Sequence, residues 1–227
     1  MKLFRALFYI SVLSLSAAIA ATGATPYEGR TVSRNSVFSP RDPRARVVLP
    51  AQAAYVGSDH WVLFGIANCD LYAFVRADRA KNVQALYWVQ FEGYIPSMPA
   101  LQHRYDSPRH ATMGGLDFYV DTWTESNPHG VRPPNTNALE AAIRAKGYAV
   151  PSGIHTGSDE QHLYALLERK GYRMPVNLMG VRFVHLVDSQ KRKELMIIYS
   201  EPLSVSTKST LVRRAEELIR IETLQPG

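Results

Sequence analysis

The chain of 227 residues has one cysteine, Cys69, so it has no internal disulfide and must hold its fold by packing alone. Cys69 sits in Ile66-Ala67-Asn68-Cys69-Asp70-Leu71, an apolar and strand-like setting that suits a small buried hydrophobe. The short motifs that mark common chemistries are absent too. There is no Gly-x-x-x-x-Gly-Lys, Gly-x-Gly-x-x-Gly, Gly-x-Ser-x-Gly, His-Glu-x-x-His or Cys-x-x-Cys. These absences speak against the common nucleotide-binding, zinc-protease and hydrolase classes. Without Cys-x-x-Cys-His there is no covalent haem, and no cofactor is expected. Enzymes that assemble a site from distant residues remain open.

An excess of one charge is also missing from most of the chain. The net charge is +6, but Lys2 and Arg5 lie at the extreme N-terminus. Arg30, Arg34, Arg41, Arg44 and Arg46 face only Glu28 and Asp42 across residues 21–50, and residues 51–227 carry 19 basic and 18 acidic side chains. A nucleic-acid partner needs a concentrated basic face, so none is expected.

Long apolar runs are confined to one place. Residues 6–20 are apolar apart from Ser11, Ser14 and Ser16, follow Lys2 and Arg5, and end in Ala18-Ile19-Ala20. This order of basic, apolar and small-x-small segments predicts a signal peptide over 1–20, cut before Ala21. The run is shorter than the roughly 20 residues of a membrane span, so no transmembrane anchor is expected after cleavage. The expected location is periplasmic or secreted.

What remains is rich enough in apolar residues, 46% with 10% aromatic, for a packed core. Residues 21–57 contain Pro26, Pro40, Pro43 and Pro50 among polar and basic residues, which predicts a flexible arm. Residues 58–224 read as a single domain. Trp61–Ala67 is a continuous apolar run, expected to be a strand. Leu71–Ala77 and Val83–Tyr94 alternate across a short polar break and predict a β-hairpin. Residues 95–115, with three prolines, read as a long loop carrying His103, Arg104, Asp106, Arg109 and His110. Leu116–Thr124 alternates again.

The period then changes to that of helices. Asn137 with Glu140 and Ser158 with Gln161 have capping-box spacing, which opens two helices. Both end in Lys-Gly-Tyr-x-x-Pro, at Lys146–Pro151 and Lys170–Pro175. Lysine suits the helix C-terminus, glycine the left-handed cap, tyrosine the apolar contact behind it, and proline the stop. A second hairpin, Val181–Asp188 with Lys193–Ser200, precedes an amphipathic helix to about Ile221. Strands grouped apart from helices predict an α+β fold: a mostly antiparallel sheet from two hairpins and further strands, with two central helices and a C-terminal helix packed on it.

One face carries the candidate site. Trp88 and Glu92 share the polar side of one strand. Asp117, Tyr119, Asp121 and Trp123 share that of another. If the strands neighbour each other, rings that offer flat apolar surface for sugars or cations lie beside carboxylates able to accept hydrogen bonds. A metal needs three or four converging ligands, and nothing in the spacing of the histidines forces convergence, so no metal is expected. His155, Ser158 and Asp159 include the residue types of a catalytic triad, but Ser158 is already a helix cap. The leading expectation is a non-catalytic ligand-binding or accessory protein of the cell envelope. Its partner would be a small molecule, a glycan or an envelope protein. One alternative is a cofactor-free hydrolase-like enzyme with Glu92, Asp117 or Asp121 as acid or base and His103 or His110 from the loop. The other is a structural or assembly protein whose basic arm contacts anionic lipid or polymer.

Overall fold

The computed structural model describes residues 29–126, 135–155, 157–204 and 207–224. The expected signal peptide, 1–20, lies outside these residues. The chain builds three short strands, β1 (Thr31–Ser33), β2 (Ser36–Ser39) and β3 (Ala45–Val48). Then follow β4 (Ala54–Leu63), β5 (Ala67–Ala77), β6 (Val83–Tyr94), β7 (Arg109–Met113) and β8 (Leu116–Ser126). Helix α1 (Asn137–Ala145), a 3-10 turn at Ser152–His155 and helix α2 (Asp159–Arg169) come next. Strands β9 (Asn177–Leu186) and β10 (Lys193–Pro202), helix α3 (Lys208–Leu218) and strand β11 (Arg220–Thr223) complete the order.

This is an α+β fold on antiparallel sheets. The main sheet has the order β4-β5-β6-β10-β9-β8-β7, and the small sheet the order β1-β2-β3-β11. The main sheet is covered on both faces, which explains why β5, β6 and β10 bury side chains of both parities. On the inner face Phe74, Tyr87, Phe91, Phe118, Phe183 and Tyr199 pack with Val37 and Val47 of the small sheet and Leu211 and Ala215 of α3. On the outer face Leu71, Trp88, Val184 and Ile198 pack with Ile143 of α1 and Leu163, Leu166 and Leu167 of α2.

The flexible arm expected over 21–57 does not hold from residue 29 onward. Val37, Ala45, Val47 and Leu49 are buried in the inner core. The Arg30 side chain, 2% exposed, pairs with Asp70 on β5 at 2.6 Å and lies over the Phe91 ring at 4.0 Å. Asp70 also meets His60 Nδ1 at 2.6 Å. The segment is an integral layer of the fold, and the basic surface proposed for it is partly spent: Arg30 is internal, and Arg46 pairs with Glu222 at 3.5 Å.

Three local expectations shift. Trp61–Ala67 spans the end of β4, a turn through Phe64 (φ 52°) and Gly65 (φ 72°), and the start of β5. The second half of the 95–115 loop is β7, hairpinned to β8 at Gly114-Gly115. Ile219 and Ile221 leave the last helix, and β11 closes the small sheet on β3.

The helix ends follow their sequence signals. Ser158 accepts from Gln161 N while the Gln161 side chain accepts from Ser158 N, a complete capping box. At α1 the cap is Thr136, one residue earlier than Asn137, and it makes no side-chain bond to the helix backbone. Both Lys-Gly-Tyr ends close as Schellman motifs. Gly147 N donates to Arg144 O and Tyr148 N to Ile143 O. Gly171 N donates to Glu168 O and Tyr172 N to Leu167 O. The glycines have φ of 80° and 78°.

Candidate functional site

The outer face of the main sheet carries the chemistry. Register fixes its rows across the strands. Ala73, Trp88, Ile198, Arg182 and Asp121 form one row from β5 to β8; Leu71, Gln90, Met196, Val184 and Tyr119 form the next. Cys69, Glu92, Glu194 and Leu186 form a third.

Trp88, Glu92, Asp117, Tyr119, Asp121 and Trp123 all belong to this face, but the neighbouring-strand arrangement expected for them is not found. Strands β9 and β10 stand between β6 and β8. The late hairpin inserts between the earlier strands because its own alternation is apolar on both sides, which suits the sheet centre. The six residues accordingly divide. Trp88, Asp121 and Trp123 line one cavity of about 340 Å³ between the sheet and the first turns of α2. Glu92 lies deeper, in a polar cluster. Tyr119 packs between Tyr105 at 5.6 Å and His110 at 4.7 Å. Asp117 is exposed at the far end, 3.2 Å from His110.

The cavity has an apolar floor and a polar wall. Leu86, Trp88, Met196 and Ile198 come from the sheet, and Leu163 and Tyr164 from α2. Trp88 is buried, and its Nε1 donates to Gln90 Oε1 at 2.9 Å. Trp123 is half-buried and packs on Gly180 of β9. Across from them, Arg182 donates to Asp121 at 2.9 Å, and Asp121 also accepts from Ser107 at 2.7 Å. These bonds hold Asp121 below the usual carboxylate range against the opposing effect of desolvation. The Arg182 Nε is buried with no partner among the described residues.

Asp159, the first residue of α2, lines the same cavity. The residue is half-buried, but its Oδ1 is shut from solvent without a hydrogen-bond partner among the described residues. Desolvation and the adjacent Glu160 push its carboxyl up to about 7, against a hydrogen bond from Gln90. The ordinary effect of a helix N-terminus is the reverse, a lowered carboxyl pKa, so burial is dominant here.

Behind Asp159 lies the polar cluster. Glu92 accepts at Oε2 from Gln90 Nε2 at 3.4 Å and from the Cys69 thiol at 3.6 Å. Desolvation, then the charges of Glu194 and Asp159, raise Glu92 well above the usual carboxylate range. Glu194 is buried and accepts from Tyr105 Oη at 2.7 Å, with His103 Nδ1 3.0 Å away. Cys69 is 1% exposed, and burial followed by the Glu92 charge raises its thiol. A thiol among carboxylates stays protonated and acts as a donor, which removes it as a nucleophile. Among the described residues two donor sets are compact enough for a metal: Glu92 with His103 and Glu194, and Glu92 with Cys69 and Asp159. In each, the potential ligand atoms lie within 4.8 Å of one another.

Arg182 and Glu194 escape the sequence reading, and Asp159 enters it only beside His155 and Ser158. Glu194 had a visible signal: it shares its parity with Met196 and Ile198 in a strand whose other parity is equally apolar. A carboxylate there must be enclosed on either face. Nothing local marks Asp159 as a cavity residue; only the docking of α2 on β4 sets it against the sheet. Trp61 stacks on His162 of α2 at 4.2 Å and 8°, and Asp59 meets His162 Nδ1 at 2.9 Å.

No protein-family model, curated protein or solved structure matches the chain. No helix among the described residues is long and apolar enough to cross a membrane.

Proposed function

We propose that this is an exported envelope protein that binds a small ligand in the cavity between α2 and the main sheet. The observation that carries this reading is the joining of an aromatic floor and a polar wall in one space of about 340 Å³. That size falls at the lower end of small-molecule sites, which are typically about 300–1,000 Å³. Trp88, Trp123 and Tyr164 offer apolar ring surface; Asp121, Glu125, Asp159 and Glu160 offer acceptors against the single guanidinium of Arg182. A ligand with one flat apolar face and several hydrogen-bond donors suits these walls, as sugars and amines do.

The test is a thermal-shift screen with sugars, cell-wall fragments, amines and lipids. A ligand that binds only the folded state raises Tm by mass action. The expected hit is lost in Trp123→Ala while the variant still melts cooperatively. A screen without hits, or equal shifts in both proteins, overturns the reading.

A second reading rests on Asp159. A cavity carboxyl with pKa about 7 suits general acid or base work near neutral pH. The enzyme would then use Asp159 in place of Glu92, Asp117 or Asp121. Asp159→Asn separates the two: loss of turnover with binding retained supports the enzyme, and unchanged turnover excludes Asp159 as its acid or base.

A further inference from the structure

The cluster behind the cavity poses a charge problem that the ligand reading leaves unsolved. We propose that Glu92, His103 and Glu194 bind one divalent transition-metal ion of the Zn²⁺, Mn²⁺ or Fe²⁺ class. The inference stands apart from the cavity ligand, since it concerns different side chains and is tested without one.

Three observations carry it. The first is placement. Glu92 and Glu194 are register partners on adjacent strands. Like charges directly opposite in a sheet repel. Here they face each other in a site where Glu194 is 3% exposed. His103 is brought to them by the loop before β7, whose backbone is pinned where His103 N donates to Lys191 O at 2.7 Å. The three donor atoms lie within 4.8 Å of one another. Ligands about 2.0–2.2 Å from a common centre lie at most about 4.4 Å apart, so a modest closure accompanies binding.

The second is an unused donor. His103 is 7% exposed, and its Nε2 has no hydrogen-bond partner among the described residues. Its ring packs against Tyr94 at 4.5 Å, which holds its orientation. The other ring nitrogen, Nδ1, stands 3.0 Å from Glu194 Oε2, so a buried imidazole with one nitrogen unfilled is enclosed beside the glutamate pair.

The third is the outer ring of donors. Tyr105 Oη donates to Glu194, and Gln90 Nε2 and the Cys69 thiol donate to Glu92. Ligating carboxylates are commonly steadied in this way. The nearby Arg182 already pairs with Asp121 at 2.9 Å, so a divalent ion is the natural counter-charge for the pair of glutamates. One imidazole among oxygen donors favours Zn²⁺, Mn²⁺ or Fe²⁺ over Ca²⁺ and Mg²⁺, which take all-oxygen shells. Asp159, whose carboxylate approaches that of Glu92, lines the cavity and gives the ion a route inward.

The experiment is calorimetric titration of chelator-treated protein with Zn²⁺ and Mn²⁺, with Mg²⁺ as the hard-cation comparison and elemental analysis for stoichiometry. One Zn²⁺ or Mn²⁺ per chain is expected, with a raised Tm and no saturable Mg²⁺ binding. His103→Gln and Glu194→Gln should abolish the site. Tyr105→Phe, which removes only an outer hydrogen bond, should weaken it by about 10- to 100-fold. Circular dichroism melts establish that each variant is folded, and Tyr105→Phe decides the matter if the ligand variants unfold. Absence of saturable Zn²⁺ and Mn²⁺ binding overturns the proposal, as does wild-type affinity in folded His103→Gln or in Tyr105→Phe.

Discussion

Trp123 on β8 and Gly180 on β9 are cross-strand partners, and the indole lies so close over the glycine that a Cβ there would collide with the ring. The missing side chain is what lets Trp123 lie down as a cavity wall. Gly180→Ala should force the indole outward at about 1–3 kcal/mol, the usual penalty of overpacking. Tryptophan fluorescence and urea denaturation check this. An unchanged spectrum and midpoint would show that the ring does not depend on Gly180. Any cavity ligand found by the thermal-shift screen should lose affinity in the same variant.

The N-terminal layer should prove essential to stability. Arg30→Ala leaves Asp70 enclosed with the His60 imidazole in place of a guanidinium. Removing one partner of a buried ion pair costs about 3–5 kcal/mol. Deletion through residue 48 also strips Val37 and Val47 from the inner core and should abolish cooperative unfolding. A truncated protein that melts like the full chain would show that the small sheet is an ornament.

The contribution of Asp159 to stability should fall as pH rises across the acid range. The Asp159 carboxyl goes from an ordinary value of 3.8 to about 7 in the folded chain. Between those values the folded state holds a proton that the unfolded state has released. This contribution is therefore fully present below about pH 4, lost as pH rises toward 7, and flat above. Asp159→Asn should flatten this slope, so that the variant gains on wild type at pH 8 relative to pH 4. Urea midpoints at the two pH values are the measurement, and parallel pH profiles would refute the buried-carboxyl account.

The sequence disclosed local periodicity well and strand order poorly. The β5–β6 and β9–β10 hairpins and both Schellman ends follow from neighbours in the chain, where alternation and capping residues act over a few positions. The small sheet did not show, because strands of three or four residues offer too little alternation to separate from a proline-broken loop. That Trp88 shares a side with Glu92, and Asp121 one with Trp123, was legible, since parity alone decides it within a strand. That Glu92 meets Glu194 and His103, and that Tyr105 reaches Glu194 across 89 positions, depends on which strands become neighbours. No periodicity encodes that.

The placement of β9 and β10 between β6 and β8 has a consequence for how the chain acquires its shape. During synthesis from the N-terminus, β4–β6 and β7–β8 emerge as two separate pieces; the β8 edge has no neighbour until β9 has appeared, at residue 186, and the β6 edge none until β10 has, at residue 202. Late arrival of a central element raises the mean sequence separation of contacts, and such topologies close slowly. Unpaired edges invite association with other chains in the meantime. A holding factor that shields these edges should therefore raise the yield of folded protein, and a fragment ending before β9 should aggregate rather than fold.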